Sequence, residues 1–256
     1  MTGQPAVKFR RLSFAETGST NAVALERAAA GEVSGLWVTA GRQTGGRGRR
    51  GRAWVSEPGN LYASLLLIDP APARRLPTLP LAAALGVYEA LKPAFAHAPQ
   101  ALAIKWPNDI LADGAKICGI LLESAVLADG RMAVVIGCGV NVASHPAAGL
   151  YKATSLAECG VTTSVEMLFE RLSAAMENVL ARWDGGRGFA AIREDWLRAA
   201  AGLGGPIIVN LPDGTISGTF AELDADGYLC LQTLSGQRRK ISAGDVFLGF
   251  QQGQSE

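Results

Sequence analysis

The spacing of apolar and polar residues changes several times along this chain, and each change predicts an element. Val7 to Ala15 reads as a strand. Ser19, Thr20 and Asn21 then offer capping side chains ahead of AVALERAAA, whose apolar positions recur with helical period until Gly31 ends them. Leu36 to Ala40 and Leu61 to Ile68 are β runs. Gly41 to Arg52, between them, has no period and predicts a loop. Four prolines between Pro70 and Pro80 lead into a helix of about 15 residues from Leu81. Ala101 to Trp106 returns to strand, and Pro107 stops it. Lys116 to Ala128 and Arg131 to Val140 are β-rich and separated by Asp129-Gly130, a pair favoured in type I′ turns, which predicts an antiparallel hairpin. Helical spacing reappears near residues 164–184 and 188–201.

After Gly202-Leu203-Gly204-Gly205 the texture becomes short strands punctuated by Pro212-Asp213-Gly214, Asp226-Gly227 and Ser235-Gly236. The expected organisation is a large unit over 1–204 and a small all-β module over 205–256. The last six residues, QQGQSE, are expected to fray, and no internal repeat or heptad series is present.

Composition narrows the function classes. With 256 residues, 48% of them hydrophobic and 18% charged, the chain can bury a full core and is unlike a disordered polymer. A formal charge of +1 gives no global attraction to nucleic acid or an anionic membrane, so any anion site is local. Cys118, Cys138, Cys159 and Cys230 are far apart and form no CxxC pair, so the pattern predicts reduced thiols and a cytoplasmic protein. The first residues lack the apolar stretch of a signal peptide, and no run approaches the roughly 18 apolar residues of a membrane span. Two histidines, His97 and His145, are too few for a transition-metal cage; a phosphate-borne Mg²⁺ is compatible with the sequence.

The strongest chemical signal is GRGRRGR, Gly46 to Arg52. Glycines let the backbone approach a ligand, and guanidinium groups present forked donors to carboxylate and phosphate. Such a loop can cradle an acyl phosphate. Ordering it costs entropy, so it is expected to close over a bound intermediate. On its own the segment is equally a solvated basic loop or a nucleic-acid contact.

Its company decides between these readings. The loop precedes KWPND (Lys105 to Asp109), KICGILLE (Lys116 to Glu123) and GCGVNV (Gly137 to Val142), and follows Ser19-Thr20-Asn21. In this order the motifs resemble the biotin–protein ligase family, with likeness from about Phe9 to Phe250. The resemblance implies an α+β fold: a mixed sheet with helices like that of class II aminoacyl-tRNA synthetases, followed by a small SH3-like β-barrel. It implies ATP, Mg²⁺ and biotin as ligands, and a biotin carboxyl carrier domain as acceptor. Family members are monomers or homodimers. The family's optional N-terminal helix-turn-helix has no counterpart before Val7, so neither DNA binding nor a membrane role is expected.

The resemblance also assigns positions. Ser19, Thr20, Asn21 and Gln43 match biotin-binding residues, and neutral hydroxyls and amides suit a planar ureido group. Arg47, Gly48 and Arg49 match the cover over the biotin tail and activated carboxyl, with Arg52 as phosphate partner and Trp54 beside the adenylate. Lys116 matches the catalytic lysine, since a fixed ammonium offsets repulsion between carboxylate and α-phosphate. Lys105, Asn108 and Asn141 are adenylate contacts, Asn141 at the adenine edge. Asp109 is a Mg²⁺ ligand or an orienter of the acceptor amine. Gly119, Gly137 and Gly139 are expected to leave room for ligand against the sheet. Two other readings stand beside this one: a lipoate–protein ligase on a similar fold, and a nucleic-acid-binding module that uses the arginine loop.

Overall fold

The computed structural model describes residues 9–147 and 152–249. The expected start at Val7 and the tail QQGQSE therefore lie wholly or partly outside the described residues. The larger unit runs β1 (Arg10–Thr17), α1 (Thr20–Ala29), β2 (Leu36–Gln43), β3 (Leu61–Ile68), α2 (Leu79–Leu91), β4 (Leu102–Lys105), β5 (Asp109–Ala112), β6 (Ala115–Val126), β7 (Met132–Val140), α3 (Val165–Trp183) and α4 (Phe189–Arg198). Its seven strands form one sheet in the order β1-β2-β3-β7-β6-β5-β4. β1 and β2 are parallel, joined by α1 as a crossover, and the other neighbours are antiparallel.

Each helix sits where its pattern sends it. α3 buries Leu168, Phe169, Leu172, Met176, Val179 and Trp183, one stripe at helical spacing, and Ser164 caps its start by accepting from Met167 N at 3.1 Å. α2 is apolar on nearly every side because it runs between the sheet and α3 and α4. Gly86 makes that sandwich close: a Cβ there would lie 3.2 Å from Met176 Cε. α1 covers the opposite face of the sheet over a smaller apolar cluster around Ala24, Val38 and Leu66.

Two local expectations change. The β6–β7 hairpin forms, but not through a type I′ turn, which requires positive φ at both central residues. Only Gly130 has positive φ (84°); Gly130 N donates to Leu127 O at 2.9 Å and Leu127 N to Arg131 O at 2.8 Å, giving a three-residue loop. The Asp129 carboxylate instead accepts from Arg131 N at 3.0 Å and Arg131 Nε at 2.7 Å. The strand that Pro107 was expected to stop is followed at once by another: Asp109 begins β5, a fully buried four-residue strand with no alternation to announce it.

The C-terminal strands are β8 (Pro206–Leu211), β9 (Gly214–Leu223), β10 (Leu229–Thr233), β11 (Arg238–Ile241) and β12 (Asp245–Leu248), in the antiparallel order β11-β10-β9-β8-β12. Laid flat, this sheet would separate its edge strands by about 19 Å. The chain from Ile241 to Asp245 spans at most ~14 Å. The sheet must therefore roll toward a barrel. It also packs on the larger unit: Phe220 meets Trp196 with ring centroids 6.5 Å apart, and Trp106 Nε1 donates to Gly227 O at 3.4 Å. One apolar core runs through both sheets, which fixes β12 beside the end of β4 and β5.

Candidate active site

Three adjacent strands assemble a buried charged cluster. β4 pairs with β5 so that Lys105 faces Asp109, and β5 pairs with β6 so that Asp109 faces Gly119. In a regular strand Lys116 and Gly119, three apart, would point to opposite faces. Ile117 is an extra residue in the β5–β6 ladder, where the register shifts by one. The bulge turns Lys116 onto the face of Gly119, and its Nζ comes 2.7 Å from Asp109 Oδ1. Lys105 Nζ lies 3.2 Å from Asp109 Oδ2. Two ammonium groups thus share one carboxylate, leaving a positive charge for an anionic substrate. Burial pushes the Lys105 pKa down, with Asp109 opposing.

The arginine loop crosses this cluster as a closed strap. Arg47 bridges to Ala53, Gly48 N donates to Arg52 O at 2.7 Å, and the reversal uses left-handed φ at Arg50 (57°) and Gly51 (72°). Arg49 Nη1 donates to Asn108 Oδ1 at 3.1 Å and its Nη2 to Gly244 O at 3.2 Å. Burial lowers the Arg49 pKa, against the pull of Asp245 and Asp109. Arg50 and Arg52 both hold Asp245, at 2.8 and 2.9 Å, and Arg47 holds Glu123 at 3.2 Å. Asn108 also braces the wall by donating to Ile120 O.

The other end of the cleft is polar but largely neutral. Gln43 Oε1 accepts from Thr20 N at 2.8 Å and Thr20 Oγ1 at 3.0 Å, and Gln43 Nε2 donates to Ser56 Oγ at 3.1 Å. Ser64 Oγ lies 2.7 Å from Thr20 Oγ1 and 2.6 Å from Asn21 Oδ1, while Asn21 Nδ2 donates to Glu123 at 2.7 Å. Ser19 caps α1, accepting from Ala22 N at 3.5 Å.

Every site residue proposed from the sequence lines this single cleft. The structure adds detail at the glycines and at Asn141. Gly119, Gly137 and Gly139 do make room, but for side chains of the protein itself. A Cβ on Gly139 would fall 2.5 Å from Trp54 Nε1, one on Gly119 2.8 Å from Trp54 Cζ3, and one on Gly137 2.1 Å from Asn21 Oδ1. Gly119 and Gly139 are cross-strand partners, so the indole lies on a two-glycine floor. Asn141 is buried and its amide N–H groups already reach Thr154 O at 3.0 Å and Lys116 O at 3.5 Å, so any adenine contact falls to its carbonyl.

Sequence reasoning missed Ser64, Glu123 and Asp245. Ser64, fully buried, was detectable as the one small polar residue inside LYASLLLI. Glu123 and Asp245 gave no local signal, because their arginine partners are distant in sequence. Among the described residues no three His, Cys, Asp or Glu side chains group closely enough to hold a metal.

A charged cluster under an arginine strap, at the end of a neutral polar pocket, suits an enzyme that activates a carboxylate. The sequence profile of the biotin/lipoate A/B protein ligase family matches residues 14–141, and that of the biotin protein ligase C-terminal domain matches residues 202–249. The chain belongs to the biotin/lipoate A/B protein ligase family. It is 41% identical over 242 residues to a biotin–[acetyl-CoA-carboxylase] ligase of Paracoccus denitrificans, covering 92% of this chain and 99% of that one. The bifunctional ligase/repressor of Bacillus subtilis is 33% identical over 244 residues, 90% of this chain and 71% of that protein. The biotin protein ligase of Aquifex aeolicus in complex with biotin and ATP superposes with a TM-score of 0.79 at 28% identity, covering 94% of this chain and 99% of that one.

Proposed function

We propose that this protein is a biotin–protein ligase that activates biotin with Mg·ATP and transfers it to a lysine of a biotin carboxyl carrier domain. The observation that carries the reading is the buried Lys105–Asp109–Lys116 cluster at one end of a cleft whose other end reads neutral polar groups. Thr20, Gln43 and Ser64 match the donors and acceptors of a ureido ring. A biotin seated there extends its carboxylate toward Lys116. Lys116 offsets the repulsion as that carboxylate attacks the α-phosphorus of ATP, and pyrophosphate leaves with the broken P–O electron pair. Arg49 and Arg52 take the phosphate charge, and Mg²⁺ arrives on the ATP. Both Asp109 oxygens engage lysines, so its role here is to hold their ammonium groups and, once the adenylate has formed, to orient the acceptor's neutral amine. That amine attacks the carbonyl carbon of the mixed anhydride, AMP departs with the electron pair of the broken C–O bond, and the proton released from the amine passes to solvent. Residues 1–204 supply the chemistry and 205–256 anchor the strap through Asp245. Four buried free cysteines fit a reducing, cytoplasmic setting.

The test is direct. Protein incubated with biotin, Mg·ATP and a carrier domain is expected to form biotinyl-adenylate and pyrophosphate and to label one carrier lysine. Lipoate in biotin's place tests the sister activity. The hydrogen-bonding pocket favours biotin, because a dithiolane ring can use none of its remaining donor and acceptor capacity. Labelling with lipoate at equal efficiency would overturn the biotin assignment.

A further inference from the structure

A second cleft lies behind the reaction centre, and we infer that it binds inorganic pyrophosphate and is its way out. This rests on the adenylating activity proposed above. Lys105 and Val246 line both clefts, so the two adjoin at these residues. Away from that junction the second cleft is lined by Lys152, Leu111, Ile208 and Asn210, and by no acidic residue among those described. Its placement is fixed by backbone bonds: Lys116 N donates to Lys152 O at 2.7 Å and Thr154 N to Lys116 O at 3.0 Å. In that extended segment neighbouring side chains point to opposite sides. Ala153 accordingly lines the main cleft and Lys152 the second. Glu158, whose carboxylate feels the Lys152 charge, is held instead by Thr154 at 2.7 Å and His145 at 2.9 Å and does not line the cleft.

The chemistry explains why a rear path matters. Adenylation leaves two products, and only pyrophosphate must depart before the carrier arrives. At the front, the strap is pinned to Asn108, Gly244 and Asp245. Opening it would admit water to the mixed anhydride. A rear cleft with one lysine at its junction with the main cleft and a second in its lining draws a multiply charged anion away while the strap stays shut. The same charges disfavour entry of the acceptor lysine by this route.

The experiment uses the reverse reaction, with inorganic pyrophosphate as the probe. An oxygen of pyrophosphate attacks the α-phosphorus of bound biotinyl-adenylate; the P–O bond to the biotin carboxylate breaks, its electron pair leaves with that carboxylate, and ATP and biotin form. For Lys152→Glu the half-saturating pyrophosphate concentration is expected to rise about fivefold, the size of one exposed ionic contact. The KM for biotin in the forward direction stays within about twofold. Asn210→Asp places a negative charge on the facing wall and is expected to shift the same constant in the same direction, while Lys152→Arg keeps the wild-type value. Unchanged pyrophosphate dependence in both acidic variants overturns the assignment, as does an equal shift in the biotin KM. A wild-type protein that forms no biotinyl-adenylate overturns the adenylating activity itself, and the rear path with it.

Discussion

Two sets of cations face the same cleft and are held in opposite ways. Lys105 and Lys116 stand on neighbouring strands, fixed by a ladder and a bulge, and share one carboxylate that is 8% exposed. The strap arginines Arg47, Arg50 and Arg52 are 40–47% exposed and lean on two carboxylates at opposite ends of the cleft. The first set is preorganised: its desolvation is offset once, in folding, and nothing need move when charge develops. The second set holds anions of the protein that a ligand's anions can replace. On the proposed reading the strands govern whether the bond forms, and the strap governs how long its product stays enclosed.

The sharpest way to break that division is on the strands. Lys116→Ala is expected to lower adenylate synthesis at least about 100-fold, the scale of losing one preorganised charge. The fold should persist, because the side chain sits in the cleft, 20% exposed, rather than in the apolar core. Pyrophosphate release and circular dichroism measure the two halves of the claim, and near-normal release would remove Lys116 from the chemistry.

Asp109→Asn is expected to act on stability and on activity together. It leaves two ammonium groups without their shared carboxylate, at a cost of about 3 kcal/mol for breaking a buried pair, readable by denaturant unfolding. Burial already lowers the Lys105 pKa and Asp109 opposes that shift. Without the carboxylate, burial and Lys116 are opposed only by the weaker pull of Asp245, so Lys105 loses its proton at lower pH. The alkaline limb of the pH–rate profile should move toward neutrality. A limb that stays in place would mean that Lys105 does not titrate in the reaction.

How much of this was legible in the sequence follows the same division. α3, with its Ser164 cap and unbroken stripe, and the β6–β7 hairpin are written in local spacing. The strap was legible as composition, and its neighbours in sequence gave it a purpose. β5 was not legible: four residues buried on both faces have no period to read, and the Pro-Asn before them is good turn chemistry. The Ile117 bulge was hidden for a related reason, since it exists only in the register of two strands. Asp245 and Glu123 were invisible because opposite charges 193 and 76 residues away choose them. Trp54 was readable as an aromatic at a ligand site, but that two glycines form its floor required the pairing of Gly119 with Gly139.

On the strap, effects should be smaller and of another kind. Arg49→Gly removes the bonds to Asn108 and Gly244 and is expected to speed adenylate escape about tenfold or more, while synthesis falls less than in Lys116→Ala. Labelling of bystander amines reports the escape. A variant that neither releases adenylate nor labels bystanders would assign shielding elsewhere.

The two anchors separate the smallest effects. Asp245→Asn loosens Arg50 and Arg52 at once from a carboxylate that is 10% exposed, so adenylate escape should rise about fivefold. Glu123→Gln loosens only Arg47, in a pair 47% and 27% exposed, and keeps an amide oxygen for Asn21; about twofold is expected. Salt gives the second reading. Raising ionic strength screens the exposed Arg47–Glu123 pair, so wild-type escape should approach that of Glu123→Gln at high salt, while Asp245→Asn keeps its difference from wild type. Convergence of both variants with wild type would mean that Asp245 is no more sheltered than Glu123. The C-terminal module would then hold the strap by a screened surface contact, and the chemistry of enclosure would rest on Arg49 alone.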